Sequence, residues 1–272
     1  MTDQLAALPD RAVLSLTGPD TLVLLERLVT HNTQDWSNGE ARYGALLTPQ
    51  GKVIADFIAV RSVDGVLLDV AAPFAPDLAK RLKMFRLRSA VEISPRDDLK
   101  VMVSPASHQG SALDPRSPDM PHRSFSGAAD LPDADWYDGV RIACGIPEQG
   151  QDFGAAEVFP AEINMDLLGG VDLKKGCFVG QEVVSRMHRR GNIRKRTLVL
   201  RGDGLEPGTD ILGPAVLGSV TSAVRNLALA RVRIDRLAKA EADNQSIKVG
   251  DISAEIEKTD WLEAEMAAFL NA

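Results

Sequence analysis

Lys174-Lys175-Gly176-Cys177-Phe178-Val179-Gly180-Gln181-Glu182-Val183-Val184-Ser185-Arg186 is the stretch on which the reading of this chain turns. Gly180 opens a helix running to about Arg190, with Val183, Val184 and Met187 on its apolar side and Gly191 placed as a C-terminal cap. Cys177 then lies in the approach to the helix N-terminus. Unpaired amide groups there, together with Lys174 and Lys175, favour an anionic sulfur. Glycines at 176 and 180 let the backbone turn sharply or approach a ligand closely. On the local residues alone, an activated thiol and a buried cysteine acting as a small hydrophobe both remain open.

Arg186, Arg189, Arg190, Arg194, Lys195 and Arg196 surround this helix, with His188 among them. On a chain of net charge -7 such a cluster either attracts an anion or forms a solvated face paired to acids such as Glu182. The acidic balance argues against a surface that grips nucleic acid as a whole. Cys144 and Cys177 are the two cysteines, with no CxxC and no histidine at ligand spacing, so a self-contained zinc or iron–sulfur site is not expected. His31, His108, His122 and His188 sit in unrelated contexts and are expected at the surface rather than as catalytic bases. Walker A, GxGxxG, GxSxG and HExxH motifs are absent. No apolar run reaches the roughly 18 residues of a membrane span, and the beginning MTDQLAALPDR has no signal-peptide pattern; a cytoplasmic location is the expectation.

Upstream, Ala12 to Leu16 alternates like a strand, and Gly18-Pro19-Asp20 starts a helix with Leu22, Leu25, Leu28 and Val29 on one face. Strands over Tyr43 to Thr48, Val53 to Val60 and Val66 to Val70 follow, then a helix from about Pro76 to Leu87 and strands near Val91 to Ile93 and Lys100 to Val103. From Pro105 to Asp135 periodicity disappears, which predicts a long surface excursion. A helix is expected from Trp136 to Ile142. Beyond Arg196, short β runs between turn residues predict a small all-β barrel. With 272 residues, two packed units are the starting expectation.

The run at 174 to 186 resembles the signature of the YgfZ family, relatives of the glycine-cleavage T-protein (aminomethyltransferase) that include mitochondrial iron–sulfur assembly factors. Leu47 to Phe57 resembles that family's N-terminal hairpin, Arg141 to Pro147 its central motif, and Phe159 to Asn164 the segment before the signature. The resemblance implies an α+β fold: fused ferredoxin-like-type folate-binding units over 1–196, an irregular loop at about 105–135, and a small C-terminal β-barrel over 197–272, aminomethyltransferase-like. It implies tetrahydrofolate as cofactor, with Lys175, Gly176, Gly180, Gln181, Glu182, Arg186, Asn164 and Arg141 contributing to its site. It also implies that Cys177 is the reactive thiol and a candidate transient cluster ligand, with no resident metal. The implied function is an accessory role in maturing iron–sulfur enzymes, including those that thiolate tRNA. The partners are iron–sulfur assembly proteins or client enzymes, without a membrane; direct tRNA contact through 186–196 is a competing reading. Ala55 and Ala143 stand where aminomethyltransferases carry carboxylates, so folate binding is expected over one-carbon transfer, the alternative.

Overall fold

The computed structural model describes residues 5–127, 131–189, 191 and 193–271. Arg190 of the basic cluster, residues 128–130 of the expected excursion and the first four residues lie outside the described residues. The chain forms two compact units: Met1–Asp135 with Gly154–Pro160 and Met165–Arg186, and Trp136–Phe153 with Ala161–Asn164 and Met187–Ala272.

In the first unit, β1 is Ala6–Ala7, β2 Arg11–Thr17, α1 Thr21–Leu28, β3 Ala41–Leu47, β4 Val53–Ser62 and β5 Gly65–Ala71. Then come α2 Ala75–Arg86, β6 Glu92–Pro95, β7 Lys100–Ser104, β8 Ala112–Leu113 and β9 His122–Ser126. An antiparallel sheet in the order β3-β4-β5-β2-β6 packs its apolar side, including Leu14, Leu16, Phe57, Leu68 and Val70, against Leu25 and Leu28 of α1 and Leu78 and Leu82 of α2. The strands form because β-branched and large apolar residues fit a half-buried pleat. In α1 the buried residues are Thr21, Leu24, Leu25 and Leu28, so its core stripe is turned toward Leu24 relative to the expected Leu22 face. A second antiparallel sheet has the order β1-β7-β9-β8.

That second sheet corrects the reading of 105–135. The segment supplies β8 and β9 and buries Asp114, Arg116, Met120 and Arg123. Asp114 accepts from Arg116 at 2.8 Å and from Arg123 at 2.9 Å, while Asp69 of β5 pairs with Arg123 and, at 2.5 Å, with Arg11. Burying a charge is tolerated only when it is paired and hydrogen-bonded, and that is what these side chains do for one another. The pairing has no period, so hydrophobic patterning did not reveal it.

The second unit begins with α3, Tyr137–Ala143; α4, Gln181–Arg189, carries the chain from the first unit to the second. The strands β10 Lys195–Arg201, β11 Asp210–Leu212, β12 Val216–Val224, β13 Leu227–Arg233, β14 Lys248–Val249 and β15 Glu255–Ile256 form a sheet in the order β14-β11-β12-β13-β10-β15. The expected all-β character is corrected by α5, Ile234–Ala242, and α6, Asp260–Leu270, whose Leu237, Ala238, Leu262 and Met266 join the core of the strands. Thr259 caps α6, its hydroxyl accepting from Leu262 N at 3.4 Å. The unit also draws in residues upstream of the expected boundary at 196. Arg196 donates to Ala161 O at 2.9 Å, and Asp152 accepts from Thr221 and Ser222 of β12 at 2.5 and 2.7 Å.

Candidate functional site

The segment Asp172 to Gly180 is held at both ends. Lys175 is buried; its Nζ donates to Val29 O at 2.9 Å and His31 O at 2.6 Å, lies 3.6 Å from Glu26 and sits over the buried Phe178 ring. Burial pulls the Lys175 ammonium below its ordinary pKa, against the opposing charge of Glu26. At the other end Gly180 has φ +80°, and a Cβ there would lie 2.6 Å from Thr48 O. Glycine alone meets both conditions. Gly180 thereby seats the segment on the turn between β3 and β4, where Gly51, with φ +81°, faces Val183 of α4. The stretches 47–57 and 174–186 are thereby packed against each other. Gly176 is different: among the described residues a Cβ there would meet nothing within 4 Å.

Between these anchors Cys177 is exposed, with a free thiol. The exposure selects against the small-hydrophobe alternative that local sequence left open. Among the described residues no three His, Cys, Asp or Glu side chains converge to hold a metal, so a cluster touching Cys177 would take its other ligands elsewhere. Gln181 is half-buried, with a long 3.4 Å contact to Lys175 O, and Glu182 and Arg186 are exposed on α4.

Arg141 and Asn164 lie in the second unit. Arg141 is fully buried and donates to Asp138 at 2.5 Å, Asp152 at 2.8 Å, Gln151 at 2.5 Å and Ile146 O at 3.2 Å, which places it as an internal clamp. Asn164 takes left-handed backbone, φ +58°, and its Nδ2 donates to Thr197 O at 2.7 Å; its buried Oδ1 has no partner among the described residues. Of the basic cluster, Arg186, His188, Arg189, Arg194 and Lys195 are exposed, but Arg196 is buried and paired with Glu265 at 2.5 Å.

A cleft of about 470 Å³ in the first unit was not legible from the sequence. His31, Asn32, Arg42, Tyr43, Pro115 and Asp172 line it, along with Gln34 and Asp35. Its volume falls within the roughly 300–1,000 Å³ usual for small-molecule sites. Tyr43 OH donates to buried Asp56 at 2.8 Å. Arg42 is spent on the loop itself, reaching Glu40, Asn32, Gln34 O and Asp35 O. Asp172 bonds Asn32 at 2.5 Å and the amides of Lys174 and Lys175 at 2.8 and 3.1 Å. Burial would raise the Asp172 carboxyl, but these donors and Lys175 hold it below the usual carboxylate range. The available sequence signals were the polar run His31-Asn32-Thr33-Gln34-Asp35 directly after α1 and the Asp-x-Lys spacing of a local turn.

His31 is not the surface residue expected. It is buried edge-on to Trp36 and Phe57, its Nδ1 pressed on Gly44, and both ring nitrogens lack partners among the described residues. Burial, then the charges of Lys175 and Arg42, lower its pKa to about 3, so the ring is neutral.

Comparison with known proteins follows the same lines. The family model for the CAF17 C-terminal β-barrel domain matches residues 194–264. The chain is 30% identical over 278 residues to the mitochondrial iron–sulfur cluster assembly factor IBA57 homolog of Pyricularia oryzae, covering 84% of this chain and 71% of that protein. It is 33% identical to the Mycosarcoma maydis homolog over 73% of this chain and 57% of that one, and 29% identical to human IBA57 over 75% and 70%. The chain thus spans less than two thirds of the Mycosarcoma maydis and Neurospora crassa relatives, 57% and 59%. Among solved structures, the glycine cleavage system aminomethyltransferase T from Bartonella henselae superposes with TM-score 0.72 at 13% identity, over 93% of this chain and 84% of that one. The fold is therefore aminomethyltransferase-like, with mixed helix and sheet and a C-terminal CAF17-type barrel domain. These IBA57 relatives are all named as mitochondrial, which overturns the expected cytoplasmic location.

Proposed function

Because the chain belongs to the IBA57 family of iron–sulfur cluster assembly factors, we propose that it supports the maturation of iron–sulfur enzymes, tRNA-thiolating ones among them, as a folate-binding accessory factor using the Cys177 thiol. The observation that carries this reading is the presentation of Cys177: an exposed thiol between a buried lysine anchor and a glycine that admits no side chain. A thiol so held meets a partner without the loop having to be ordered first. A partner's cluster or disulfide is the chemistry such a sulfur serves, as one ligand or as one exchanging thiol. The partners are iron–sulfur assembly proteins or client enzymes.

The first unit's cleft suits tetrahydrofolate in volume, and Asn32, Gln34 and Asp172 in its lining offer polar groups. Bound there, tetrahydrofolate would supply a carrier for one-carbon units. Lys175 and Gly180 shape the cysteine loop, Gly176 leaves open space in it, and Gln181, Glu182 and Arg186 are placed to meet a ligand or partner. Arg141 and Asn164 enter as the clamps of the second unit. One-carbon transfer is not part of the proposal. Ala55 is sealed in the apolar core and Ala143 is exposed without a carboxyl, so neither supplies the acid of an aminomethyltransferase.

The test is restoration of iron–sulfur enzyme activity, tRNA thiolation included, in cells lacking the protein, alongside calorimetric titration of the pure chain with tetrahydrofolate. Restoration with measurable binding is expected. Failure to restore any client contradicts the assembly role, and restoration without binding removes the folate.

A further inference from the structure

The cleft and the cysteine loop share a frame of hydrogen bonds. Asn32 and Asp172, both in the cleft wall, bond to each other at 2.5 Å, and Asn32 Oδ1 accepts from Arg42 at 2.6 Å. The second carboxylate oxygen of Asp172 accepts the amides of Lys174 and Lys175, the residues leading to Cys177. Its own backbone N–H donates to Thr30 O at 2.9 Å, and Thr30 Oγ1 donates to Gly170 O at 2.6 Å while accepting Ala45 N of β3 at 2.9 Å. Asp172 therefore holds Asn32 of the cleft wall with one oxygen and the backbone of the cysteine loop with the other. Hydrogen bonds to a carboxylate are stronger than neutral ones, so a group that engages Asn32 or Asp172 alters the hold on 174 and 175.

We propose that Asp172 is a positioning residue that couples occupancy of the cleft to presentation of the Cys177 thiol. A ligand in the cleft changes how firmly the loop is held, and with it how readily the sulfur meets a partner. The ligand's identity rests on the folate reading above; the coupling rests on the bonds of Asp172. The residue takes no part in bond making at sulfur and acts through the loop.

The test follows alkylation of Cys177 and Cys144 by iodoacetamide, resolved by peptide mass spectrometry, in full-length wild type, Asp172→Ala and Asp172→Asn. Each is measured with and without saturating 5-formyltetrahydrofolate, with affinity and melting temperature recorded. In wild type the folate is expected to change the Cys177 rate by about fivefold or more, the lower end for coupled sites, and to leave Cys144 unchanged. Asp172→Ala should raise the ligand-free Cys177 rate and erase the folate effect. Asp172→Asn keeps an oxygen for the two amides and should restore the ligand-free rate. A folate effect of equal size in Asp172→Ala overturns the coupling, as does a rise at Cys144 matching that at Cys177, which marks general loosening. Wild type that binds the folate without any change at Cys177 overturns the coupling and leaves the folate reading standing. Wild type that binds no folate overturns both.

Discussion

The loop around Cys177 and the segment from Ser104 to Ser126 use polar residues in opposite ways. The first buries its anchors and exposes its sulfur; Lys175 is spent on two carbonyls so that Cys177 need not be. The second buries its charges in pairs, with Asp114, Arg116 and Arg123 closed on one another and on Asp69. Polar density alone does not distinguish a site from a structural staple. Where the charges are satisfied does.

The sharpest way to break this contrast is Asp114→Ala, which removes the carboxylate both arginines share. Breaking a buried pair typically costs about 3–5 kcal/mol, and urea unfolding should register a loss of that size. Burial would raise the Asp114 carboxyl, but the Arg116 and Arg123 guanidiniums outweigh it and hold it well below the usual range. Its contribution is therefore present above the unfolded carboxylate pKa and lost as pH falls toward the depressed folded value. A variant as stable as wild type at pH 7 would show that the segment is not held by its ion pairs.

His31 has the opposite character, a titratable group buried neutral. Its folded pKa of about 3 lies below the ordinary histidine value of 6.5, so the unfolded chain takes up the proton first. Stability from this residue is intact above about pH 6.5 and declines as pH falls toward 3, by roughly 2 kcal/mol at pH 5 from a shift of about 1.4 kcal/mol per unit. In His31→Leu the difference in urea midpoint between pH 7 and pH 5 should shrink; an undiminished difference would assign the acid sensitivity elsewhere.

Smaller effects divide the two glycines of the cysteine loop. Gly180→Ala should cost about 1–2 kcal/mol from left-handed backbone, and more from the contact with Thr48 O. Gly176→Ala should stay within about 0.5 kcal/mol, since its Cβ meets open space. Thermal unfolding of the pair separates them; equal losses would mean that Gly180 is not the seat of the loop.

Much of the first unit was legible in its sequence because its constraints are local. Alternation over Ala12 to Leu16, the Asp64-Gly65 turn and the spacing of Leu78 and Leu82 match β2, β5 and α2 within a residue or two. The cysteine loop was legible as a motif for a related reason: Gly180 and Lys175 are demanded by backbone geometry, which leaves residue types at fixed offsets. The ion pairs of Asp69, Asp114 and Arg123 span non-local contacts with no period, so the segment looked like an irregular excursion. The cleft was hidden likewise, because Asn32, Tyr43 and Asp172 converge only once β3 and the loop before α4 are in place. The helices α5 and α6 were obscured by the short β runs around them, although Ile234, Leu237 and Ala238 form an ordinary helical stripe.

The most direct test of the Cys177 role is Cys177→Ala measured twice, for melting temperature in the pure protein and for iron–sulfur enzyme activity in cells that depend on it. An exposed thiol on an independently anchored loop predicts an unchanged melting temperature, within about 0.5 kcal/mol of stability, and loss of client activity. Full client activity with the alanine in place would contradict it.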